Sequence, residues 1–272
     1  MSSWDHPEIR DLIARALAED IGPGDVTTEA CVPEDARAEG FFLTREPLVV
    51  AGLPLLEMLY DKEDLNILFE DGQKLEAEVV FAQVSGSARR LLTLERTALN
   101  LLQRTSGIAT ISRRFADAVA GTGCKVLDTR KTAPGMRRLE KLAVAAGGCV
   151  NHRFGLFDAI LIKNNHITAA GGVREAYERC KAKGLPVEIE VRSFEELDEA
   201  LAVGADHLLL DNLAPAEARE AVERVRGRAK VEISGGVNLQ TVRAYAETGA
   251  DFVSVGALTH SAPAADISFR LK

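Results

Sequence analysis

The sequence predicts an α/β protein in which a parallel β/α barrel follows a smaller sheet domain. Beyond Gly123, short apolar runs alternate with amphipathic helical stretches, which is the pattern of a parallel sheet. Six such runs are present, and this many repeated units favour closure into a barrel. A length of 272 residues accommodates a barrel with a smaller appended domain. An open doubly wound sheet is the alternative, but no GxGxxG motif follows any of the runs.

The first third of the chain has a different period. A helix is predicted to start near Pro7 and to end at Glu19-Asp20, because apolar residues recur on one face, and IGPGDVTT after it is predicted to be a loop. From Ala36 to Val84, β-branched and aromatic runs are separated by turn signals such as Asp71-Gly72. This segment is expected to form a small mixed α/β sheet domain.

The barrel segment follows two predicted helices, Leu94 to Arg104 and Ile108 to Ala120, which are expected to break near Ser106-Gly107 where the domains meet. Helices are also predicted between most of the later strands, the last from Leu239 to Thr248. The six predicted strands begin at Lys125, Ala159, Val187, His207, Val231 and Phe252.

Composition excludes some classes of partner. Lys and Arg total 33 against 41 acidic residues, which gives a formal charge of −8. This balance argues against nucleic acid and anionic membranes as partners. No run approaches the length of a transmembrane helix, and MSSWDHPEIR lacks the apolar region of a secretory signal, so a cytoplasmic location is expected.

The stretch from Val231 to Ala257 predicts a phosphate site. Its two strands end in small-residue turns, Ser234-Gly235-Gly236 and Gly256-Ala257, and Asn238 is placed to cap the next helix. The last two strands of a β/α barrel commonly hold a phosphate in this way. An ordinary pair of turns between strand and helix is the alternative interpretation.

Charged residues recur where the predicted strands end. The C-terminal ends of barrel strands carry the chemistry of such folds. Cations gathered there focus and neutralise anions, so a substrate with several negative charges is expected. His152-Arg153 precede the second strand and are expected to reach the same end of the barrel. The strand ends deliver Arg130, Lys131, Lys163, Glu190, Asp211, Ser234, Gly235, Gly236 and Gly256.

Glu190 and Asp211 offer hard oxygen ligands from neighbouring strands, which suits Mg²⁺ shared with a substrate phosphate. Ion pairs with nearby lysines, or a general-base role, are the alternatives. His207 lies at the opposite end of its strand and is expected to be structural. The residues by themselves therefore predict a barrel enzyme for a phosphorylated polyanion, without fixing the reaction.

Nine motifs, spread over nearly the whole chain and in the same order, resemble the quinolinate phosphoribosyltransferases, also called nicotinate-nucleotide pyrophosphorylases (carboxylating). The resemblance is strong because the motifs occur together in register. They are EDIGPGDVTT, LERTALNLLQRTSGIAT, DTRKTAPG, GGCVNHRFGL, AILIKNNHI, VEIEV, LLLDN, EISGGV and SVGALTHSAP.

The resemblance implies an N-terminal α/β sandwich domain at residues 1–107, an incomplete TIM-like barrel of roughly seven strands at residues 108–260, and a tail at residues 261–272 that packs back on the N-terminal domain. It implies a homodimer with shared active sites, with a trimer of dimers as a further possible assembly. The implied reaction joins quinolinate to phosphoribosyl pyrophosphate with Mg²⁺, and it yields nicotinate mononucleotide, pyrophosphate and CO₂ for NAD biosynthesis.

The same resemblance implies a role for each matching residue. Arg130, His152, Arg153 and Arg96 of the other subunit would bind the two carboxylates of quinolinate. Lys131 and Lys163 would face the pyrophosphate and the reacting centre, and Glu190 and Asp211 the ribose hydroxyls and Mg²⁺. The 5′-phosphate would lie against the glycine turns, and the full set of expected substrate contacts also includes Thr129, Ser234, Gly235, Gly236, Ser254 and Gly256.

One position departs from the family pattern, because Asn164 stands where an acidic residue is more usual. A related pyrophosphorylase-like protein of molybdenum-transport gene clusters shares several motifs and is the nearest alternative. Two more distant alternatives are a phosphate-binding barrel lyase that uses Lys163 as a Schiff base and a non-catalytic phosphosugar-binding barrel. Lys163 together with His152-Arg153 favours the quinolinate enzyme.

Overall fold

The computed structural model describes residues 3–272, which divide into two compact units. Unit 1 contains the described residues up to Arg113, together with Thr132–Gly148 and Leu258–Lys272. Unit 2 contains Arg114–Lys131 and Cys149–Ala257.

The first half of the chain supplies most of unit 1. Its elements are α1 (Pro7–Ile21), α2 (Val26–Cys31), β1 (Arg37–Thr44), β2 (Leu48–Val49), a short 3-10 helix (Leu53–Leu55), α3 (Leu56–Leu59), β3 (Leu65–Ile67), β4 (Lys74–Leu75), β5 (Val80–Ser87) and α4 (Ala88–Ala118). The second half continues with β6 (Lys125–Leu127), α5 (Arg137–Ala146), β7 (Ile160–Ile162), α6 (Asn164–Ala170), α7 (Val173–Lys181), β8 (Val187–Val191), α8 (Phe194–Ala202), β9 (His207–Asp211), α9 (Pro215–Val225), β10 (Lys230–Ser234), α10 (Val242–Ala246), β11 (Phe252–Ser254), α11 (Ala257–His260) and β12 (Ile267–Leu271).

Unit 1 is built on an antiparallel sheet of four strands in the order β12-β1-β5-β3. The last strand of the chain therefore pairs with the first, and Phe42 lies opposite Phe269 with the ring centroids 4.8 Å apart. Phe42, Phe81 and Leu102 are fully buried, because alternate residues of the sheet and one face of α4 are apolar. This packing forms the core of the unit.

Two helix predictions in this part of the chain are wrong. The IGPGDVTT segment is not entirely loop, because α2 begins at Val26 and the Asp25 carboxylate accepts the N–H of Thr28 at 3.0 Å. Helix α4 runs without a break through Ser106-Gly107. Gly107 is present for a different reason, since a Cβ there would collide with the backbone oxygen of Pro263. A contact so distant in sequence leaves no local signal.

Unit 2 is a parallel sheet of six strands in the order β6-β11-β10-β9-β8-β7, and all six predicted strands are present. Ile189, Leu208, Ile233 and Val253 form a buried apolar layer on one face of the sheet, each with at most 1% exposure. The sheet is an incomplete barrel, because its edge strands β6 and β7 are not paired with each other within residues 3–272. A single bridge from Leu127 to Val150 extends it beyond β6.

Helices follow the strands and begin at residues suited to that position. Ser193 caps α8 by accepting the N–H of Glu196 at 3.2 Å, and Pro215 opens α9. The helix predicted from Leu239 starts later, at Val242, because Asn238 Oδ1 accepts the N–H groups of Gln240 and Thr241 and so forms a turn first. Among the described residues, no helix combines the length and apolar character needed to cross a bilayer.

Candidate active site

The C-terminal ends of β8, β9 and β10 place several predicted site residues side by side. Asp211 and Ser234 are the last residues of neighbouring strands and lie opposite each other in the register. Glu190 is the next-to-last residue of β8, where it pairs with Leu209 of β9. The parallel arrangement therefore brings two carboxylates and the start of the glycine turn to one edge, as the strand-end argument predicts.

The turn after β10 has room for an anion. Gly235 and Gly236 adopt φ values of +103° and +60°, which side chains disfavour. A Cβ on Gly235 would collide with Asn212, whose N–H donates to the Ser234 carbonyl at 2.9 Å. A Cβ on Gly236 would meet nothing within 4 Å, so open space lies beside this residue. The turn thus combines a tight fit on one side with space for a bound group on the other.

Lys163 and Glu190 form a long ion pair at the ends of β7 and β8. Lys163 Nζ lies 3.8 Å from Glu190 Oε2, which is beyond hydrogen-bond distance. The Lys163 side chain is 53% exposed, and its backbone N–H donates to His166 Nδ1 at 2.9 Å. On the next strand, Asp211 Oδ2 accepts a hydrogen bond from the Asn212 amide at 2.9 Å. The loose ion pair leaves Lys163 able to reorient toward a ligand.

Arg192, which was not selected from the sequence, lies just after β8. One of its terminal nitrogens donates to Asn164 Oδ1 at 2.6 Å, and its backbone N–H donates to Glu196 at 2.8 Å. The strand-end rule that identified Glu190 would also have identified this arginine. The amide of Asn164 keeps the hydrogen bond to Arg192, whereas the more usual acidic residue would add a charge to it.

The segment that carries His152 and Arg153 is anchored by Asp128. This carboxylate follows β6 and is fully buried. Asp128 Oδ1 accepts the backbone N–H of His152, and Oδ2 accepts the side-chain amide of Asn151, both at 2.8 Å. The buried carboxylate therefore fixes the segment in register with the end of β6.

The His152 ring is engaged on both sides within unit 2. Its Nδ1 accepts the backbone N–H of Arg153 at 2.7 Å, which leaves the proton on Nε2. Nε2 lies 2.9 Å from Glu188 Oε2, so the ring is turned toward the second residue of β8. Substrate binding through a ring nitrogen would require one of these bonds to open.

Arg153 lies in a cationic environment. Its Nη1 donates to the Ala159 carbonyl at 3.0 Å, while its buried Nε has no hydrogen-bond partner among residues 3–272. Burial and then the nearby charge of Arg130 lower the pKa of Arg153, and Glu188 and Asp158 oppose this shift only in part. The effect of a second positive charge on Arg153 favours an anionic ligand.

The other predicted residues have varied surroundings. Thr129 Oγ1 accepts the backbone N–H of Lys131 at 3.1 Å, and Lys131 is exposed. Ser254 is buried at the end of β11, where its hydroxyl group bonds to Glu232, and Gly256 lies two residues beyond it. Arg96 is exposed on the part of α4 that belongs to unit 1.

Two acidic residues inside the barrel were also not selected from the sequence. Burial and then the charge of Glu188 raise the pKa of Glu232 well above its usual range. Burial by itself would raise the pKa of Glu188 as well, but the hydrogen bond with His152 and the nearby His207 give a net lowering. In sequence, both residues look like ordinary strand positions.

The fold and the strand-end residues together define an α/β-barrel protein equipped to hold a phosphorylated polyanion. Comparison with known sequences makes this more specific. The family model described as quinolinate phosphoribosyl transferase, C-terminal domain, matches residues 108–270, and the corresponding N-terminal domain matches residues 25–106. The chain therefore belongs to the quinolinate phosphoribosyltransferase family.

Similar proteins cover the chain end to end. A nicotinate-nucleotide pyrophosphorylase [carboxylating] of Mycobacterium leprae is 44% identical, with 100% of both chains covered. A chloroplastic protein of the same name from Arabidopsis thaliana is 42% identical and covers 98% of this chain and 84% of its own length. The solved structure of NadC from Streptococcus pyogenes superposes with a TM-score of 0.94 at 38% identity, covering 100% of this chain and 99% of that one.

We expect Gly235→Ala to weaken the binding of inorganic phosphate by about tenfold or more, because the new methyl group displaces Asn212 and distorts the turn. Gly121→Ala is the matched control, since Gly121 also has a positive φ of +80° but a Cβ there meets nothing within 4 Å. Isothermal titration calorimetry with phosphate measures both. Equal affinities in the two variants would show that the turn does not hold the anion.

Proposed function

We propose that this chain joins quinolinate to phosphoribosyl pyrophosphate and releases nicotinate mononucleotide, pyrophosphate and CO₂ in de novo NAD biosynthesis. The observation that carries the proposal is the meeting of Glu190, Asp211 and the turn that begins at Ser234 at one edge of the sheet, in a member of the quinolinate phosphoribosyltransferase family. Arg130 after β6 and Arg153 before β7 supply two guanidinium groups for a substrate with two carboxylates.

The phosphoribosyl group is proposed to lie along the strand ends. Its 5′-phosphate would bind against Ser234, Gly235, Gly236 and Gly256, where the turn leaves open space beside Gly236. The ribose hydroxyls would then meet Glu190 and Asp211. The phosphate and the ribose would contact different strands. The turn follows β10, whereas Asp211 and Glu190 lie on β9 and β8, which come next in the sheet.

The same two carboxylates fit Mg²⁺. Glu190 and Asp211 lie on adjacent strands and are both partly exposed, and hard carboxylate oxygens with room for water are what this ion prefers. Mg²⁺ bound there would stabilise the negative charge that develops on the leaving pyrophosphate. No transfer of a carboxylate proton is needed for this role.

Lys131 and Lys163 are proposed to hold the pyrophosphate. Both side chains are exposed, and Lys163 is only loosely paired with Glu190. Cleavage of the bond between C1 of the ribose and the pyrophosphate leaves positive charge on the ring, which nearby carboxylates stabilise. The quinolinate nitrogen then forms the new bond to C1, so that no protein nucleophile is required.

Arg130 and Arg153 act mainly by orientation. They would hold the two carboxylates of quinolinate so that the ring nitrogen faces C1 of the ribose, with His152 fixing the backbone of Arg153. After bond formation the ring nitrogen is positively charged. It withdraws the electron pair of the adjacent carbon–carboxylate bond as CO₂ leaves, and a proton takes the place of the CO₂.

The working assembly is proposed to be a cytoplasmic homodimer in which Arg96 of the partner completes each quinolinate site, with a trimer of dimers as a possible higher assembly. The exposure of Arg96 on unit 1 supports a contribution from the partner. This arginine lies in the part of the chain that matches the family model, but within one chain its side chain faces solvent.

Formation of nicotinate mononucleotide from quinolinate and phosphoribosyl pyrophosphate, with and without Mg²⁺, tests the proposed reaction. We expect turnover with quinolinate but not with nicotinate, which lacks the second carboxylate. Arg153→Ala should raise the KM for quinolinate by about tenfold or more and leave that for phosphoribosyl pyrophosphate nearly unchanged, because only one substrate loses a charged hydrogen bond.

Arg243→Ala is the matched control for that variant, because Arg243 is an exposed arginine paired with Glu247 on α10. It should match the wild type for both substrates. Equal losses for both substrates in Arg153→Ala would contradict the assigned role. A folded wild type without any turnover would favour the relative linked to molybdenum transport.

Mixing two inactive variants tests the shared site. Arg96→Ala and Arg130→Ala should each be nearly inactive alone. After mixing and subunit exchange they should regain roughly a quarter of the wild-type activity, because about half of the dimers are mixed and each of these has one intact site. Mixing that restores no activity, although mixed dimers form, would show that each site is complete within one chain.

A further inference from the structure

A cavity enters unit 2 from the end of the barrel opposite the strand-end site. It has a volume of about 460 Å³ and is lined by the first residues of β7 to β11, among them His207 and Phe252, and also by His152 and Arg153 of the proposed quinolinate site. The cavity leads to Glu188 in the barrel interior. Solvent and small ions therefore have a path to the buried acidic residues that the proposed reaction does not use.

Three polar atoms at the inner end of this cavity lack a hydrogen-bond partner among the described residues. They are Glu188 Oε1, Glu232 Oε2 and His207 Nε2. The two glutamate side chains are only 7% and 1% exposed, so both are more than nine-tenths buried. His207 Nε2 lies 3.6 Å from Glu188 Oε1 and 3.8 Å from Glu232 Oε2. His207 Nε2 thus lies near one oxygen of each glutamate, and Glu232 Oε2 also lies 3.5 Å from His152 Nε2.

The remaining carboxylate oxygens are held in place by other groups. His152 Nε2 donates to Glu188 Oε2 at 2.9 Å, and the Ser254 hydroxyl group bonds to Glu232 Oε1. Hydrogen bonds of this kind to the outer oxygen orient carboxylates that ligate a metal through the other oxygen. The interior therefore has both a set of converging donors and a supporting shell.

The site also requires positive charge. Two carboxylates buried next to each other repel, and either a proton or a cation must offset their charge. His152 is a poor ligand although its Nε2 and one oxygen of each glutamate lie within 4.8 Å of one another. Its Nδ1 already accepts the Arg153 N–H, so Nε2 keeps its proton and donates. His207 Nε2 has no hydrogen-bond partner among the described residues, so it is the better ligand.

We propose that Glu188, Glu232 and His207 form a binding site for a divalent transition-metal ion of the zinc type, separate from the magnesium site at the strand ends. Two carboxylates and one neutral imidazole balance the charge of the ion and leave a fourth position for water. Ligands of a tetrahedral zinc ion lie about 3.3 Å apart. The separations of 3.6 and 3.8 Å between His207 and the two glutamates need only a few tenths of an ångström of adjustment.

The proposal gives His207 a metal-binding role in place of the structural role expected from the sequence. An imidazole prefers zinc, whereas Mg²⁺ prefers an all-oxygen site such as the Glu190 and Asp211 pair. The two ions would therefore be sorted by ligand chemistry to opposite ends of the same strands. The cavity supplies the entry path that such an interior site needs.

Titration of the dialysed, chelator-treated protein with Zn²⁺ tests the proposal. We expect one tightly bound Zn²⁺ per chain by calorimetry and by elemental analysis after desalting. His207→Leu should weaken that binding by about 100-fold, and Asp211→Asn, which alters the strand-end site instead, should leave it unchanged. Zn²⁺ should also raise the midpoint of thermal unfolding of the wild type more than that of His207→Leu.

Glu232→Gln provides a second variant that does not depend on the folding of the first, because the amide keeps the shape of the carboxyl group but loses its charge. It should weaken Zn²⁺ by a similar factor. Co²⁺ in place of Zn²⁺ should give the intense visible absorption of a tetrahedral site in the wild type only. Two results would overturn the proposal: no stoichiometric Zn²⁺ binding, or Zn²⁺ binding that Asp211→Asn removes and His207→Leu leaves intact. The charge of the two glutamates would then be offset by a shared proton instead.

Discussion

The buried carboxylate of Asp128 is the constraint on which the candidate site depends. It joins the end of β6 to the segment before β7 through its bonds to Asn151 and His152, and this segment carries Arg153. Because both oxygens are used and the residue is fully buried, the segment has little freedom to move relative to the end of β6. An anionic ligand would offset the effect of the Arg130 charge on Arg153, which Glu188 and Asp158 offset only in part.

Charge is arranged along the barrel in layers. At the strand ends, exposed lysines and partly exposed carboxylates can move to meet a ligand, as the loose Lys163–Glu190 pair shows. Below them, Glu188 and Glu232 are buried and held by His152 and Ser254. His152 links the two layers, since one ring nitrogen faces the interior glutamate and the other fixes the backbone of Arg153. The mobile side chains at the strand ends therefore lie next to buried polar side chains that hydrogen bonds hold in place. A fixed layer of this kind favours pre-organised binding.

The six barrel strands and the residues at their ends could be predicted because both depend on local pattern, namely apolar runs followed by charge or glycine. Gly107 was misinterpreted as a helix break, because its contact with Pro263 spans more than half the chain. The orientation of His152 depends on Glu188, which lies 36 residues away, and pairing across strands cannot be deduced from spacing. Glu232 was missed for a similar reason, since its significance lies in its neighbours rather than in its own segment, whereas the strand-end rule could have identified Arg192.

The measurement that tests the account most directly is quinolinate binding by Asp128→Asn. The substitution puts an amide where a buried carboxylate accepts two hydrogen bonds, so the Arg153 segment should lose its fixed position. Calorimetry should show quinolinate bound about tenfold to a hundredfold more weakly, and phosphoribosyl pyrophosphate bound nearly as well as by the wild type. Unchanged quinolinate affinity in a folded variant would contradict the account.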